Sequence, residues 1–347
     1  MMDDRRTRPP MPFGFGRLVE PAYRFVVARR NARFDAGIGV RKADIPVICV
    51  GNLSVGGTGK TPLVMWLVEH LRTLGCTPGI AMRGYKAKRG ELSDEQAEYA
   101  TRLPGVMVAV DAERFNAVQA LARHGRCNVA VLDDGFQHRR LARDLDIVLL
   151  DATRAVFTDR CLPAGWLREP VQGLARAGAI VWTHAEAIDD DALHALLEQT
   201  RAIAPNAALA CARHTWTGLA CAGEDELRPV ASLQDQNVAV ACGIGNPTAL
   251  CQAIEAHGAR IVSRLIRADH YPWSSADLAD LHEATQGAAM LLTTEKDWVK
   301  LRSLALHDSV DIPILRPQVS MEIVHGKETL LAKVGTAIAR PDATVPL

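Results

Sequence analysis

An α/β fold is predicted by three observations on this 347-residue chain. Short apolar runs alternate with helical stretches over most of its length, the pattern of a mostly parallel sheet covered by helices. One run, residues 46–50, feeds a glycine-rich turn that ends in Gly59-Lys60-Thr61 and opens a helix. That is the sequence form of a phosphate-binding loop. Periodicity then weakens over residues 215–235, and a second, shorter strand–helix series follows. The expected architecture is a P-loop NTPase-like domain over 36–222 and a smaller Rossmann-like α/β domain over 223–347, preceded by an amphipathic segment over 1–35.

Composition narrows the possibilities. Formal net charge is zero, so no overall basicity points to nucleic acid. Eight cysteines are scattered without a CxxC pair, several inside apolar runs. They read as reduced, buried thiols rather than a disulfide or zinc framework. No apolar run is long enough to cross a bilayer, and no signal-peptide core or cleavage site opens the chain.

Residues 1–10 are polar and rich in Pro and Arg, and predict disorder. Residues 13–34 predict a helix. Phe15, Leu18, Val19, Ala22, Phe25 and Val26 can share one face while Arg17, Arg24, Arg29, Arg30 and Arg33 crowd the rest. Pro21 falls in an early turn or kinks it. The first fifty residues carry ten Lys and Arg against five Asp and Glu. Such a segment suits the surface of an anionic membrane; packing on the core as an ordinary amphipathic helix is the alternative.

The phosphate loop follows. Gly56, Gly57 and Gly59 let the backbone curl so that its N–H groups face one anion. Leu63, Val64, Leu67, Val68 and Leu71 have helical spacing, so the loop runs into a helix whose N-terminus adds partial positive charge. Lys60 can reach the outer phosphates and the Thr61 hydroxyl can ligate Mg²⁺. Ser54 stands where the usual pattern has its first glycine.

Residues 78–82 predict a second strand, ending in the basic loop Arg83-Gly84-Tyr85-Lys86, placed where open α/β sheets bind ligands. Ser93 and Gln96 form a capping box for a helix over 92–100, within which Asp94 and Glu95 either steady the helix end or do chemistry. A strand over 106–110, a helix over 112–123 and a strand over 129–132 lead to Asp133-Asp134-Gly135. Carboxylates at such a strand end can hold Mg²⁺ near Thr61; a polar turn is the alternative. Further strands are expected over 146–151 and 179–182, with a Pro/Gly loop over 159–170 between them, then a helix over 190–203.

In the second part, strands are expected over 238–242, 260–266 and 288–293, with helices after Pro247, over 275–284 and from Thr294. Gly243-Ile244-Gly245 follows a strand and precedes a helix, but Thr248 replaces the third glycine of a dinucleotide fingerprint. It reads either as a weak cofactor signal or as a tight turn. His270 follows a strand end beside Asp269, open to a structural or a catalytic role.

The motifs VGNLSVGGTGKTP, MRGYK, DDGFQHRRLARDLDIV, LPAGWLREP, DHYPW and LLTTEKDWVKL occur in this order. Together they resemble the tetraacyldisaccharide 4'-kinases, over about residues 12–330. The resemblance implies a kinase that moves the ATP γ-phosphate to the 4'-hydroxyl of a tetraacyldisaccharide 1-phosphate, giving lipid IVA in lipid A biosynthesis. It implies a glycolipid substrate and a peripheral position on the anionic cytoplasmic face of an inner membrane. It assigns Ser54, Val55, Gly56, Gly57, Thr58, Gly59, Lys60 and Thr61 to ATP. Thr61, Asp133 and Asp134 go to Mg²⁺, with the directly ligating aspartate left open. Asp94 matches the acidic member and His270 the histidine of a general-base pair, which closure of the two domains would complete. Arg83, Lys86 and Arg168 are candidates for the phosphate already on the acceptor, and Gln137 is a further substrate-binding candidate. Two departures stand out: Ser93-Asp94-Glu95-Gln96 where the family commonly has Gly-Asp-Glu-Pro, and Tyr271 where many members have a second histidine. The competing readings are a P-loop kinase for a soluble acceptor and an ATP-switched membrane adaptor.

Overall fold

The computed structural model describes residues 14–55, 58–84, 94–123, 125, 127–269, 271–304 and 310–339. Gly56, Gly57, Lys86 and His270 lie outside the described residues, as does the side chain of Asp94.

The chain forms two compact units, one from residues 1–85, 103–214 and 321–347, the other from 86–102 and 215–320. This outline differs from a linear division at 222/223, for two physical reasons. The chain leaves the first unit midway along one long strand, Ala208–Cys221, and re-enters it midway along another, Ile314–His325. The closing helix, Lys327–Ile338, then packs on the first unit's strands. The helix bearing Asp94, Asp94–Arg102, belongs with the second unit: Tyr99 is fully buried, and the Arg102 guanidinium donates to the Val319 carbonyl at 2.7 Å. Asp94 and residues 269 and 271 therefore fall in one unit.

The first unit is built on β1 (Val47–Asn52), β2 (Pro78–Met82), β3 (Met107–Val110), β4 (Val129–Asp133), β5 (Leu145–Asp151), β6 (Ala179–Thr183) and β7 (Ala208–Cys221). They lie in the order β3-β2-β4-β1-β5-β6-β7, every recorded pair parallel. Parallel strands need crossovers on both faces, which is why β1, β2, β4 and β6 are buried along their whole length. β1 sits centrally, in register with Asp133 of β4 through Val50 and with β5 through Ile48–Asn52. The C-terminal ends of β1 and β4 therefore emerge side by side. α2 (Lys60–Thr73) covers them, burying Leu63, Val64, Leu67, Val68 and Leu71 as the spacing predicts.

α1 (Phe15–Asp35) is the helix expected over 13–34. It does not pack through its apolar stripe. It docks through Gly16, Glu20, Tyr23, Val27 and Asn31 on the loop after residue 158. Buried Glu20 accepts from Arg160 at 2.8 Å and from the Cys161 amide at 3.1 Å. The Tyr23 hydroxyl donates to the Arg168 carbonyl at 2.7 Å. Phe15, Leu18, Phe25 and Val26 point to solvent, each more than 60% exposed. Among the described residues no helix is long and apolar enough to cross a membrane.

The second unit carries β8 (Asn237–Cys242), β9 (Arg260–Ile266), β10 (Met290–Leu292) and β11 (Ile314–His325), in the order β11-β10-β8-β9 and parallel. The Gly243-Ile244-Gly245 turn proves structural. The Asn246 side chain caps the following helix, Pro247–Ala256, by accepting from Ala249 N at 3.2 Å, so one of its first amides is already occupied. Gly243 donates to Asp297 at 3.0 Å, and Asp297, fully buried, also accepts from Trp273 Nε1 at 2.8 Å and Thr294 Oγ1 at 2.6 Å. The DHYPW and TTEKDW motifs thus meet in a hydrogen-bonded core. Asp297→Ala would leave two buried N–H donors unpaired, and the expected loss is about 2–4 kcal/mol of unfolding free energy, measurable as a lowered urea midpoint for loss of Trp273 fluorescence.

Candidate active site

Every element of the site grows from the end of β1. Asn52, fully buried, donates from Nδ2 to Thr58 Oγ1 at 3.2 Å. The Thr58 carbonyl accepts from Thr183 Oγ1, at the end of β6, at 3.1 Å. On the near side, the Val55 amide donates to the Trp166 carbonyl at 2.8 Å, and Arg154 Nη1 donates to the Val55 carbonyl at 3.1 Å. Ser54 is buried and bridges to Leu167. Both ends of the loop are thus held by neighbouring strands, while the curl at Gly59 turns its chain into α2.

Gly59 is in the left-handed conformation, φ 79°, and a Cβ there would lie 2.6 Å from His214 Nε2. Only glycine meets both conditions. The α2 N-terminus has no side-chain cap and no acidic residue in its first turn. Its amides and dipole are left for an anion, in contrast with the Asn246-capped turn of the other unit. Thr61, at the start of α2, is buried.

Asp133 and Asp134 close β4 on the same edge. Asp133 is buried, 4% exposed. Asp134 has φ 54°, unusual outside glycine, and this turns its carboxylate toward cations. Lys60 Nζ lies 3.6 Å away and Arg168 Nη1 at 3.0 and 3.1 Å from its two oxygens. Burial pushes the carboxyl pKa up, but Lys60 and Arg168 outweigh it and hold it below its ordinary value. Arg168 also donates to Gln137 Oε1 at 3.3 Å. Gln137 donates in turn to the Asn52 carbonyl at 2.9 Å and to Glu169 at 3.0 Å. Arg168 thus reaches both Asp134 and Gln137 through Nη1.

The structure brings Ser54, Val55, Thr58, Gly59, Lys60, Thr61, Asp133, Asp134, Gln137 and Arg168 to one edge of the first unit. Arg83 is exposed at the end of β2. Asp94 opens its helix in the other unit. Several partners escape sequence reasoning because no motif spaces them. Arg114 is buried in the fields of Asp134 and Asp133, though burial still lowers its pKa. Glu169, fully buried, joins Gln137, Arg176 and Asn31.

A third group, His184, Glu186 and His214, borders the loop, with ligand atoms all within 4.8 Å of one another. Two sets of residues can thus offer atoms to a metal: the hard oxygens of Thr61 and the β4 aspartates, which suit Mg²⁺, and this imidazole–carboxylate set, which suits softer divalent ions. The two rings lie 4.4 Å apart. Burial, then the neighbouring His184, lowers His214 to about 4, and its Nδ1 is buried without a hydrogen-bond partner.

A family model described as tetraacyldisaccharide-1-P 4'-kinase matches residues 16–338. A tetraacyldisaccharide 4'-kinase of Pseudomonas fluorescens is 38% identical over 306 residues, 84% of each chain. One of Geobacter sulfurreducens is 35% identical over 297 residues, 80% of this chain and 81% of that one. The crystal structure of LpxK from Aquifex aeolicus in complex with ATP superposes with a TM-score of 0.70 at 27% identity, covering 92% of this chain and 97% of that one.

His214 supplies a test of the geometry. Its folded pKa, about 4, lies below the unfolded value near 6.5, so the unfolded chain binds the extra proton between them. Stability is fully present above about pH 6.5 and falls as pH drops toward 4, by up to about 3 kcal/mol. Urea unfolding at pH 7 and pH 5 should show this loss, and His214→Gln should remove most of the difference.

Proposed function

This chain belongs to the tetraacyldisaccharide 4'-kinase family, and we propose how its own residues carry that reaction. It is an ATP-dependent kinase that phosphorylates the 4'-hydroxyl of a tetraacyldisaccharide 1-phosphate in lipid A biosynthesis. The observation that supports a phosphotransferase reading most directly is the uncapped α2 N-terminus beneath Gly59, with Lys60 and Asp134 paired across it.

ATP lies with its phosphates on the amides of the loop and of α2. Lys60 exchanges Asp134 for the outer phosphates, and Asp134 stays neutralised by Arg168. The buried Thr61 hydroxyl and Asp133 carboxylate are the oxygens offered to Mg²⁺, which when bound neutralises phosphate charge. Phosphoryl transfer asks mainly for positioning and charge stabilisation. Asp94 takes the proton of the attacking hydroxyl, and His270 orients it or shares its charge.

The exposed Phe15, Leu18, Phe25 and Val26 insert at an anionic membrane surface, with arginines of the same helix at the headgroups. Glu20, Tyr23 and Asn31 on the opposite face grip the loop that ends in Arg168 and Glu169. α1 is thus both anchor and buttress, working at the cytoplasmic face of the inner membrane where its glycolipid acceptor lies.

Turnover with γ-labelled ATP and detergent-dispersed tetraacyldisaccharide 1-phosphate tests the chemistry. Lys60→Ala should lose about 10²–10³-fold, and Asp94→Ala and His270→Ala about 10²–10⁴-fold with ATP affinity retained. Near-normal turnover in both of the last two would sink the base pair. For the anchor, Leu18→Ser/Phe25→Ser should cut co-sedimentation with phosphatidylglycerol vesicles at least tenfold while nucleotide binding holds. Deleting α1 is a poorer test because it also strips the partners of Arg160 and Glu169. Unchanged sedimentation would reject the anchor.

A further inference from the structure

A cavity of about 600 Å³ lies beside the phosphate-loop site. It opens between the second half of α1 and residues 137–140, and its walls carry Arg30, Arg33, Arg41, Arg139 and Arg140 against the single carboxylate of Glu113. Two of these guanidinium groups are already balanced: Arg139 holds Asp35, and Arg140 lies 3.2 Å from Glu113. The other three are not. Among the described residues, no carboxylate lies within ion-pair distance of Arg30, Arg33 or Arg41, and the Arg41 guanidinium is stacked 3.5 Å over the Phe115 ring. His138, on the same wall, adds an imidazole whose pKa burial lowers, so it joins the cavity as a neutral polar group near pH 7.

Like charges gathered around one hollow repel one another unless an anion joins them. The fork of arginine fits a tetrahedral phosphate better than the point charge of lysine. Two further observations say where that phosphate comes from. Gln137 forms part of the wall and also bonds Asn52 and Glu169 in the site, so the cavity adjoins the reaction centre within one unit. Arg30 and Arg33 follow the outward-facing Phe25 and Val26 on the same helix. Arg30, Arg33 and Arg41 are thus cations of this wall without a carboxylate partner among the described residues.

We propose that this cavity binds the phosphate of a lipid: the one already on the glycolipid acceptor, or that of an anionic phospholipid headgroup. The acceptor version rests on the family reading; the phosphate site does not.

The test uses the full chain and Arg30→Gln/Arg33→Gln. Both residues are exposed, so folding should survive, and Arg30→Lys/Arg33→Lys serves as a charge-retaining control. With the phosphate loop filled by a non-hydrolysable ATP analogue, inorganic phosphate is titrated by ³¹P NMR. Binding should weaken at least tenfold in the glutamine variant and much less in the lysine variant. Unchanged phosphate binding overturns the proposal, whether or not the protein proves to be a kinase. Two arms then identify the source. If the acceptor supplies the phosphate, the variant's KM for tetraacyldisaccharide 1-phosphate should rise at least tenfold at nearly constant kcat. An acceptor lacking the 1-phosphate should show no such difference between variant and wild type. If the headgroup supplies it, KM stays level, and sedimentation with phosphatidylglycerol vesicles falls while that with phosphatidylcholine does not. Weakened phosphate binding with neither change would show an adventitious ion site only, and would also overturn the proposal.

Discussion

The carboxylate of Glu169 is completely buried, and much of the first unit is arranged to keep it so. An ionised group out of water must be paired and hydrogen-bonded or it destabilises the fold by several kcal/mol. Here Arg176 supplies the counter-charge at 2.9 Å, and amides from Gln137 and Asn31 complete the shell at 3.0 and 3.1 Å. Those partners come from the short helical turn Val171–Arg176 before β6, from the turn after β4 and from α1. One buried charge therefore fixes three pieces of chain that are far apart in sequence. Through Gln137 it reaches the Asn52 carbonyl and Arg168, and through them the floor of the phosphate loop and Asp134.

This arrangement explains how a surface helix can matter to a buried reaction centre. α1 turns Gly16, Glu20, Tyr23, Val27 and Asn31 inward and Phe15, Leu18, Phe25 and Val26 outward. In an isolated globular protein that orientation would waste the apolar face. The proposed membrane contact would cover it. The same helix then carries cations past that face to the cavity beside Gln137.

The two glycine turns show how identical-looking signals part company. Both follow a buried parallel strand and precede a helix. In one, Asn246 supplies the cap and Gly243 is tied to Asp297, so the turn is closed by its own side chains. In the other, no side chain caps α2, and Gly59 is pressed against His214 in a backbone conformation other residues resist. The unmet amides separate an anion site from a structural corner. That difference lies in what stands opposite the helix end, which no spacing of glycines reports.

The strands and helices of the phosphate-loop unit were legible because each is a local pattern: apolar runs for strands buried on both faces, helical spacing for α2, Gly59 at the one left-handed position before Lys60. The order of the motifs was enough to point to the family. Less legible were the long strands Ala208–Cys221 and Ile314–His325, whose half-buried middle stretches break the apolar run. The assignment of the Asp94 helix to the second unit depended on the burial of Tyr99 and on Arg102 finding a partner over two hundred residues away. Sequence by itself determined the phosphate loop and most of the shorter elements, which rest on local patterns, and the order of its motifs pointed to the kinase family. Tertiary structure alone decided which face of α1 meets water, which arginines are spent on Asp134 and which remain unpaired, because charge balance and burial are set by neighbours in space rather than in sequence.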